Sequence, residues 1–92
     1  MKITFDPTKR VRTLTERRLD MARADEVFAG RNAVVPDGRF NYGEDRYLTA
    51  GFLDGRMVIL VWTPDGDGDD RRIISMRHCH ADEEARWLKR MG

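Results

Sequence analysis

The stretch Tyr47-Leu48-Thr49-Ala50-Gly51-Phe52-Leu53-Asp54-Gly55-Arg56-Met57-Val58-Ile59-Leu60-Val61-Trp62-Thr63 decides the fold. Asp54-Gly55 is a two-residue turn signal, because both residues tolerate the positive φ that a tight hairpin requires. The runs on either side, Tyr47 to Leu53 and Met57 to Thr63, read as strands. Met57 to Trp62 is apolar at every position. A run of that kind suits a central strand covered on both faces.

Working outward, Pro64 to Asp70 is a loop carrying Asp65, Asp67, Asp69 and Asp70. Arg71 to Arg77 is then the third strand of an antiparallel meander. Ala81 to Met91 reads as a helix, with Asp82, Glu83 and Glu84 in its first turn and Lys89 and Arg90 in its last. Both placements complement the helix dipole. Ala81, Ala85, Leu88 and Met91 are its expected apolar face, with Trp87 beside it.

Upstream, Lys2 to Phe5 alternates as a short strand. Asp6-Pro7 is an N-cap followed by proline at the first helical position. The helix is predicted to run from about Pro7 to Arg18. Val11, Leu14 and Leu19 give it a thin apolar face, and Lys9, Arg10, Arg12, Arg17 and Arg18 make most of the rest basic. Asp20 is a second N-cap. Met21, Ala24, Val27 and Phe28 recur at helical spacing, and Gly30 is the stop. Pro36-Asp37-Gly38 marks a turn between short strands at Val34-Val35 and Phe40 to Tyr42. The order predicts one α+β domain over residues 1–92. Two N-terminal helices and a C-terminal helix pack on a twisted, mainly antiparallel sheet.

Composition narrows the function. The chain has 92 residues, too few for two independent cores. Charged residues are 36% of it, and fourteen of its seventeen cations are arginine. Arginine presents a planar fork suited to phosphates and carboxylates. Four of the acids sit in one loop, so the remaining surface is basic. No apolar run approaches the roughly 18 residues a membrane helix needs, and the N-terminus lacks an apolar signal core. A cytoplasmic location without membrane contact is expected. One cysteine, Cys79, excludes an intrachain disulfide.

The common enzyme motifs are absent: P-loop, GxGxxG, GxSxG and HExxH. His78-Cys79-His80 offers too few ligands for a specific zinc site, so no metal and no cofactor is expected. Cys79 reads as a packing residue. Phe52, Trp62 and Trp87 read as core, whereas Tyr42 and Tyr47 are open to stacking on unpaired bases. Arg46, Arg56, Arg71, Arg72 and Arg77 fall at strand ends. They suit either a phosphate-binding patch or ordinary solvation. Strict alternation puts Arg72 and Arg77 on opposite faces unless a bulge intervenes.

Asp45-Arg46-Tyr47 through Gly51 to Asp54-Gly55-Arg56 resembles the pattern E-R-(aromatic)-x-x-x-G-x-x-D-G-R. Val61-Trp62-Thr63 followed by Arg72-Ile73-Ile74-Ser75-Met76-Arg77 resembles V-(aromatic)-T…R-I-I-S-A-R. Phe5-Asp6-Pro7-Thr8-Lys9 is similar to W-D-P-x-K, and Glu26-Val27-Phe28 and Tyr42-Gly43-Glu44 also match. These segments together resemble the BrnT toxin family of bacterial type II toxin–antitoxin modules. The resemblance implies a RelE-like fold and RNA cleavage that arrests translation and growth. It also implies a BrnA-like ribbon-helix-helix antitoxin, with operator DNA contacted only through that partner. Arg72 and Arg77 are the first candidates for stabilising the phosphate in cleavage, with Lys9 and Arg46 next. Arg12, Tyr47, Thr63 and Ser75 are the expected substrate contacts. The chain departs from the family at Glu16 to Asp20, where many members carry K-H-G, and at Pro64-Asp65. These departures leave the acid and base open: His78 and His80 are the histidines that could substitute, and Glu44 is another candidate base. The alternative is a non-catalytic module that binds an antitoxin-like partner.

Overall fold

The computed structural model describes residues 1–92. The hairpin forms as its sequence dictates. β3 (Tyr47–Leu53) and β4 (Arg56–Pro64) pair antiparallel, and Asp54 and Gly55 take φ of 51° and 78° at the turn. β5 (Arg71–His78) joins the free edge of β4 antiparallel. β2 (Ala33–Pro36) flanks β3, and β1 (Ile3–Phe5) pairs parallel with β5. The mixed sheet has the order β1-β5-β4-β3-β2, so the all-apolar strand lies at its centre.

Its first face carries the larger core. α1 (Pro7–Arg17), a 3₁₀ turn (Met21–Arg23) and α2 (Ala24–Ala29) precede β2 in the chain. Leu19, Met21, Ala24 and Val27 pack on Leu53, Val58, Leu60, Trp62, Ile73 and Met76. Burying each large side chain contributes roughly 1.5–3 kcal/mol. The Trp62 indole N–H, sealed in this layer, donates to Thr49 Oγ1 at 2.8 Å. Gly51 is required by close approach, since a Cβ there would lie 2.6 Å from a Val27 methyl.

The second face is covered by α3 (Ala81–Met91). Trp87 and Met91 pack with Leu48, Ala50, Phe52, Met57, Ile59 and Cys79. The seam therefore runs through Trp87 and Met91, one turn apart. The expected face through Ala81, Ala85 and Leu88 is exposed. The indole offers more apolar area than any alanine and sets the helix rotation.

Two further expectations are corrected. Phe40 to Tyr42 forms no strand, because Asp37, Arg39 and Tyr42 bond to one another and Asn41 Oδ1 accepts from Gly43 N–H. On α1, Thr13 is the buried residue, while Val11 and Leu14 are exposed. The reason is the place where α1 docks. β1 ends opposite Ile73, which leaves the rest of the β5 edge without a strand partner. α1 lies along that edge. Lys9 Nζ approaches the Ile74 carbonyl at 3.4 Å, and an Arg17 N–H donates to the Met76 carbonyl at 2.9 Å. A polar edge calls for cations and a small residue, not an apolar stripe.

Capping fixes the helix ends. Asp6 accepts from Thr8 N–H at 2.8 Å with Pro7 in the first turn, and Arg18 closes α1 in the left-handed region at φ 56°. Asp20 caps the 3₁₀ turn and receives two Arg10 hydrogen bonds at 2.7 and 2.9 Å, which hold α1 to the segment below it.

Candidate functional site

The site begins with an irregularity in β5. Val61 pairs with Ser75 but Trp62 pairs with Ile73, so Ile74 is a bulge. The bulge reverses the alternation. Ile73 and Met76 both enter the first core despite being three apart. Arg72, Ser75 and Arg77 accordingly share the second face, and the expected opposition of Arg72 and Arg77 is lifted.

Sharing a face does not bring those two arginines together. Arg72 lies opposite Thr63 and Arg77 opposite Ile59. Four strand residues separate the two positions by roughly 13 Å. Arg77 is committed to α3, where Nη1 donates to Glu83 Oε1 at 2.6 Å and to the His78 carbonyl at 3.1 Å. Glu83 also accepts from the His80 backbone N–H at 2.9 Å. The Arg77 hydrogen bond holds its carboxyl down at about 2, well below the usual range. Arg77 thus fastens the start of α3 to the end of β5.

Arg72 faces a different neighbourhood. Asp6, Lys9, Glu44, Arg46, Arg72 and the Ile73-Ile74 backbone enclose a cavity of about 290 Å³. Arg72 has no carboxylate within 4.0 Å. Arg46 donates from Nε to Glu44 at 2.9 Å, and Lys9 meets only the Ile74 carbonyl. A second cavity of about 140 Å³ adjoins it, sharing Lys9 and Ile74 and adding Arg12, Thr13, Glu16, Arg17 and Ser75. Together they form a groove along the bulge, between α1 and the segment entering β3. Five cations line it against three acids, one of which caps α1 and another of which is held by Arg46. Cations crowded without full neutralisation favour a polyanion.

The structure therefore gathers Lys9, Glu44, Arg46 and Arg72 around one cavity and puts Arg12 and Ser75 beside them. Thr63 lies beneath the site. Its buried hydroxyl donates to the Asp45 carbonyl at 2.6 Å and ties down the segment that bears Glu44 and Arg46. Tyr47 lies on the other face of the sheet, stacked on Trp62 at 4.9 Å. Arg71 is also on that face, its guanidinium 4.3 Å from the ring centres of both Phe28 and Trp62. His78 sits at the far end of β5, with Nε2 3.3 Å from the Arg17 carbonyl and Nδ1 buried without a partner. Burial, reinforced by Glu83, pushes the Cys79 thiol up to about 11, which suits a packing residue.

Two contributors escaped the sequence reading. Asp37 appeared only as a turn residue, yet its side chain is wholly buried. It accepts from Arg39 at 2.8 and 2.9 Å and from the Tyr42 hydroxyl at 3.3 Å. Tyr42 in turn lies against the Arg46 guanidinium, 3.8 Å from ring centre to carbon. Arg17 also lines the groove. The bond from its side chain to the Met76 carbonyl of β5 is a property of the docked helix and has no local signal.

A cation-lined groove on the bulged strand of a five-stranded mixed sheet marks out a small α+β domain. The chain belongs to the BrnT toxin family: the family model described as "Ribonuclease toxin, BrnT, of type II toxin-antitoxin system" matches residues 5–83. The matched span contains Lys9, Glu44, Arg46, Arg72 and the bulge. No curated protein matches the chain.

Proposed function

We propose that this protein is the RNA-cleaving toxin of a type II module and that its active site is the Lys9–Arg46–Arg72 cavity. The observation that carries the proposal is the convergence on a single cavity of three cations and two carboxylates, Glu44 and the helix-capping Asp6. RNA cleavage by attack of the ribose 2′-hydroxyl on the adjacent phosphate concentrates charge on the phosphoryl oxygens. Fixed guanidinium and ammonium groups stabilise that charge without a metal ion. In this reading Arg72 and Arg46 hold the phosphate, Glu44 accepts the hydroxyl proton, and Lys9 donates to the leaving oxygen. Arg12 and Ser75 continue the track for the neighbouring nucleotide. The arrangement of helices on a twisted sheet is RelE-like. A BrnA-like antitoxin neutralises the enzyme in the cytoplasm and carries the operator DNA contact.

One observation favours a second reading. The cavity contains no histidine, because His78 lies at the opposite end of β5. A non-catalytic module that only binds its antitoxin would need none. Induced expression of the chain alone separates the two. Growth arrest with RNA decay is expected, unaffected by chelation of the lysate and absent in Arg72→Ala. Soluble wild-type protein that leaves growth and RNA untouched would overturn the ribonuclease reading in favour of the binding module.

A further inference from the structure

The rim of the groove carries a feature that phosphate chemistry does not use. Phe40 is 71% exposed, and its ring meets Tyr42 edge-on at 5.8 Å. The Tyr42 ring lies against the Arg46 guanidinium at 3.8 Å. Only the Tyr42 ring therefore separates a bare aromatic from a cation of the cavity.

The segment is tied down from below at several points. Asp37 receives Arg39 and the Tyr42 hydroxyl, its backbone N–H donates to the Arg46 carbonyl at 2.8 Å, and Thr63 holds Asp45. An exposed ring on a fixed segment loses little freedom when something covers it. A ring next to a phosphate-binding cation matches one substrate geometry. In a single strand, base and phosphate are offset by about one nucleotide, and every base presents a π-face. A paired base is already stacked and cannot reach the ring.

We propose that Phe40 is a stacking platform for an unpaired base next to the phosphate held at Arg46, with Tyr42 and Asp37 as the residues that position it. This deepens the ribonuclease reading and rests on it, because it names the substrate as single-stranded RNA with a splayed base at the rim. Tyr42 acts through Arg46 and Phe40, and Asp37 acts through Tyr42.

The test is binding of a short mixed-sequence 2′-O-methyl RNA, which cannot be cleaved by 2′-hydroxyl attack. The probe is used as a single strand, as a duplex, and as a single strand with abasic positions. The wild-type chain is expected to prefer the intact single strand. Phe40→Ala should weaken that binding about tenfold, the order expected for one lost stack. Phe40→Trp should retain it and show fluorescence quenching. With the abasic strand, wild type and Phe40→Ala should bind alike. Tyr42→Phe keeps the ring but loses the bond to Asp37 and should weaken single-strand binding severalfold, and Tyr42→Leu should weaken it as far as Phe40→Ala does. Since Phe40 is exposed, these substitutions at position 40 leave folding intact. Equal binding of wild type and Phe40→Ala to the intact strand overturns the proposal, as does an equal deficit on the abasic strand. If Phe40→Ala instead loses only capture of the antitoxin, the ring belongs to a protein interface and the proposal fails. If Arg72→Ala loses RNA binding while Phe40→Ala keeps it, the platform fails and the ribonuclease reading stands. If the wild type binds no RNA, both fall.

Discussion

At one end of β5, Arg72 faces a cavity with Lys9 and Arg46 and has no acid partner; at the other, Arg77 is locked to Glu83 at 2.6 Å. Both arginines point to the same face of the same strand, and the bulge at Ile74 is what puts them there. The difference lies in what each end is given. α3 brings a carboxylate to Arg77, whereas α1 and the segment before β3 bring further cations to Arg72. Like charges gathered on a surface oppose folding unless a ligand is intended. An arginine with a half-buried partner is a fastener. Residue type and strand position alone do not separate the two roles; the neighbours contributed by distant segments do.

The largest expected effect tests this division directly. Arg72→Ala should lower RNA cleavage by roughly a hundredfold or more, the size seen when one preorganised donor to a developing charge is removed. Its melting temperature should stay within a degree or two, because the side chain is exposed and unpaired. Arg77→Ala should do the reverse. It leaves Glu83 half-buried without its cation, which costs about 1–2 kcal/mol. In a domain of this size that lowers the melting temperature by roughly 4–10 °C. Cleavage per folded molecule should persist. Parallel thermal melts and cleavage assays check both. A stable Arg77→Ala protein with no activity would interchange the two ends.

The fold was largely legible because its signals are local. Asp54-Gly55, the apolar run of β4, the Asp6-Pro7 cap and the charged ends of α3 each specify an element within a few residues. The site was legible in part. The family resemblance pointed to Lys9, Arg46, Arg72 and Glu44, and those are the residues around one cavity. The same reading ranked Arg77 beside Arg72, ahead of Lys9 and Arg46, and made Tyr47 a substrate contact, and no local pattern could show that one meets Glu83 and the other Trp62. The bulge could be posed as a question from the five-residue spacing of the arginines, but not answered. Asp37 was the hardest to see. A buried aspartate and a turn aspartate look alike until Arg39 and Tyr42 fold over it. The rotation of α3 was misjudged because three small or aliphatic residues looked like a stripe, and one tryptophan outweighed them.

Acid should loosen the fastened end and give an intermediate effect. Glu83 is held at about 2 by its hydrogen bond with Arg77, and Asp20 and Asp37 are held at about 2 by Arg10 and Arg39. Each binds its proton more weakly folded than unfolded. Their contribution to stability is therefore complete above about pH 5 and is lost as pH falls through 4 toward 2. Glu83→Gln should be less stable than wild type at neutral pH and should lose less on acidification, so the two melting curves approach each other near pH 2–3. Melts across that range check it. Parallel curves with a constant gap would mean that the Arg77–Glu83 pair contributes nothing in solution, and the contrast between the two ends would collapse.

The smallest effect probes how the cavity end is held. Thr63 shares the second face with Arg72, and its hydroxyl reaches the Asp45 carbonyl at 2.6 Å from a position only 8% exposed. Thr63→Val keeps the shape and leaves that carbonyl short of a donor, at a cost of about 1 kcal/mol. The segment bearing Glu44 and Arg46 should then loosen. Cleavage should fall severalfold, chiefly in kcat/KM, because the phosphate is held less well before it reacts. Thr63→Ser retains the donor and should recover most of the cleavage despite losing a methyl group. A purely structural threonine predicts the opposite order, since valine fills the space better than serine does. If valine proves the more active variant, packing is the role of Thr63, and Arg46 owes its placement to Tyr42, Glu44 and Asp37 without it.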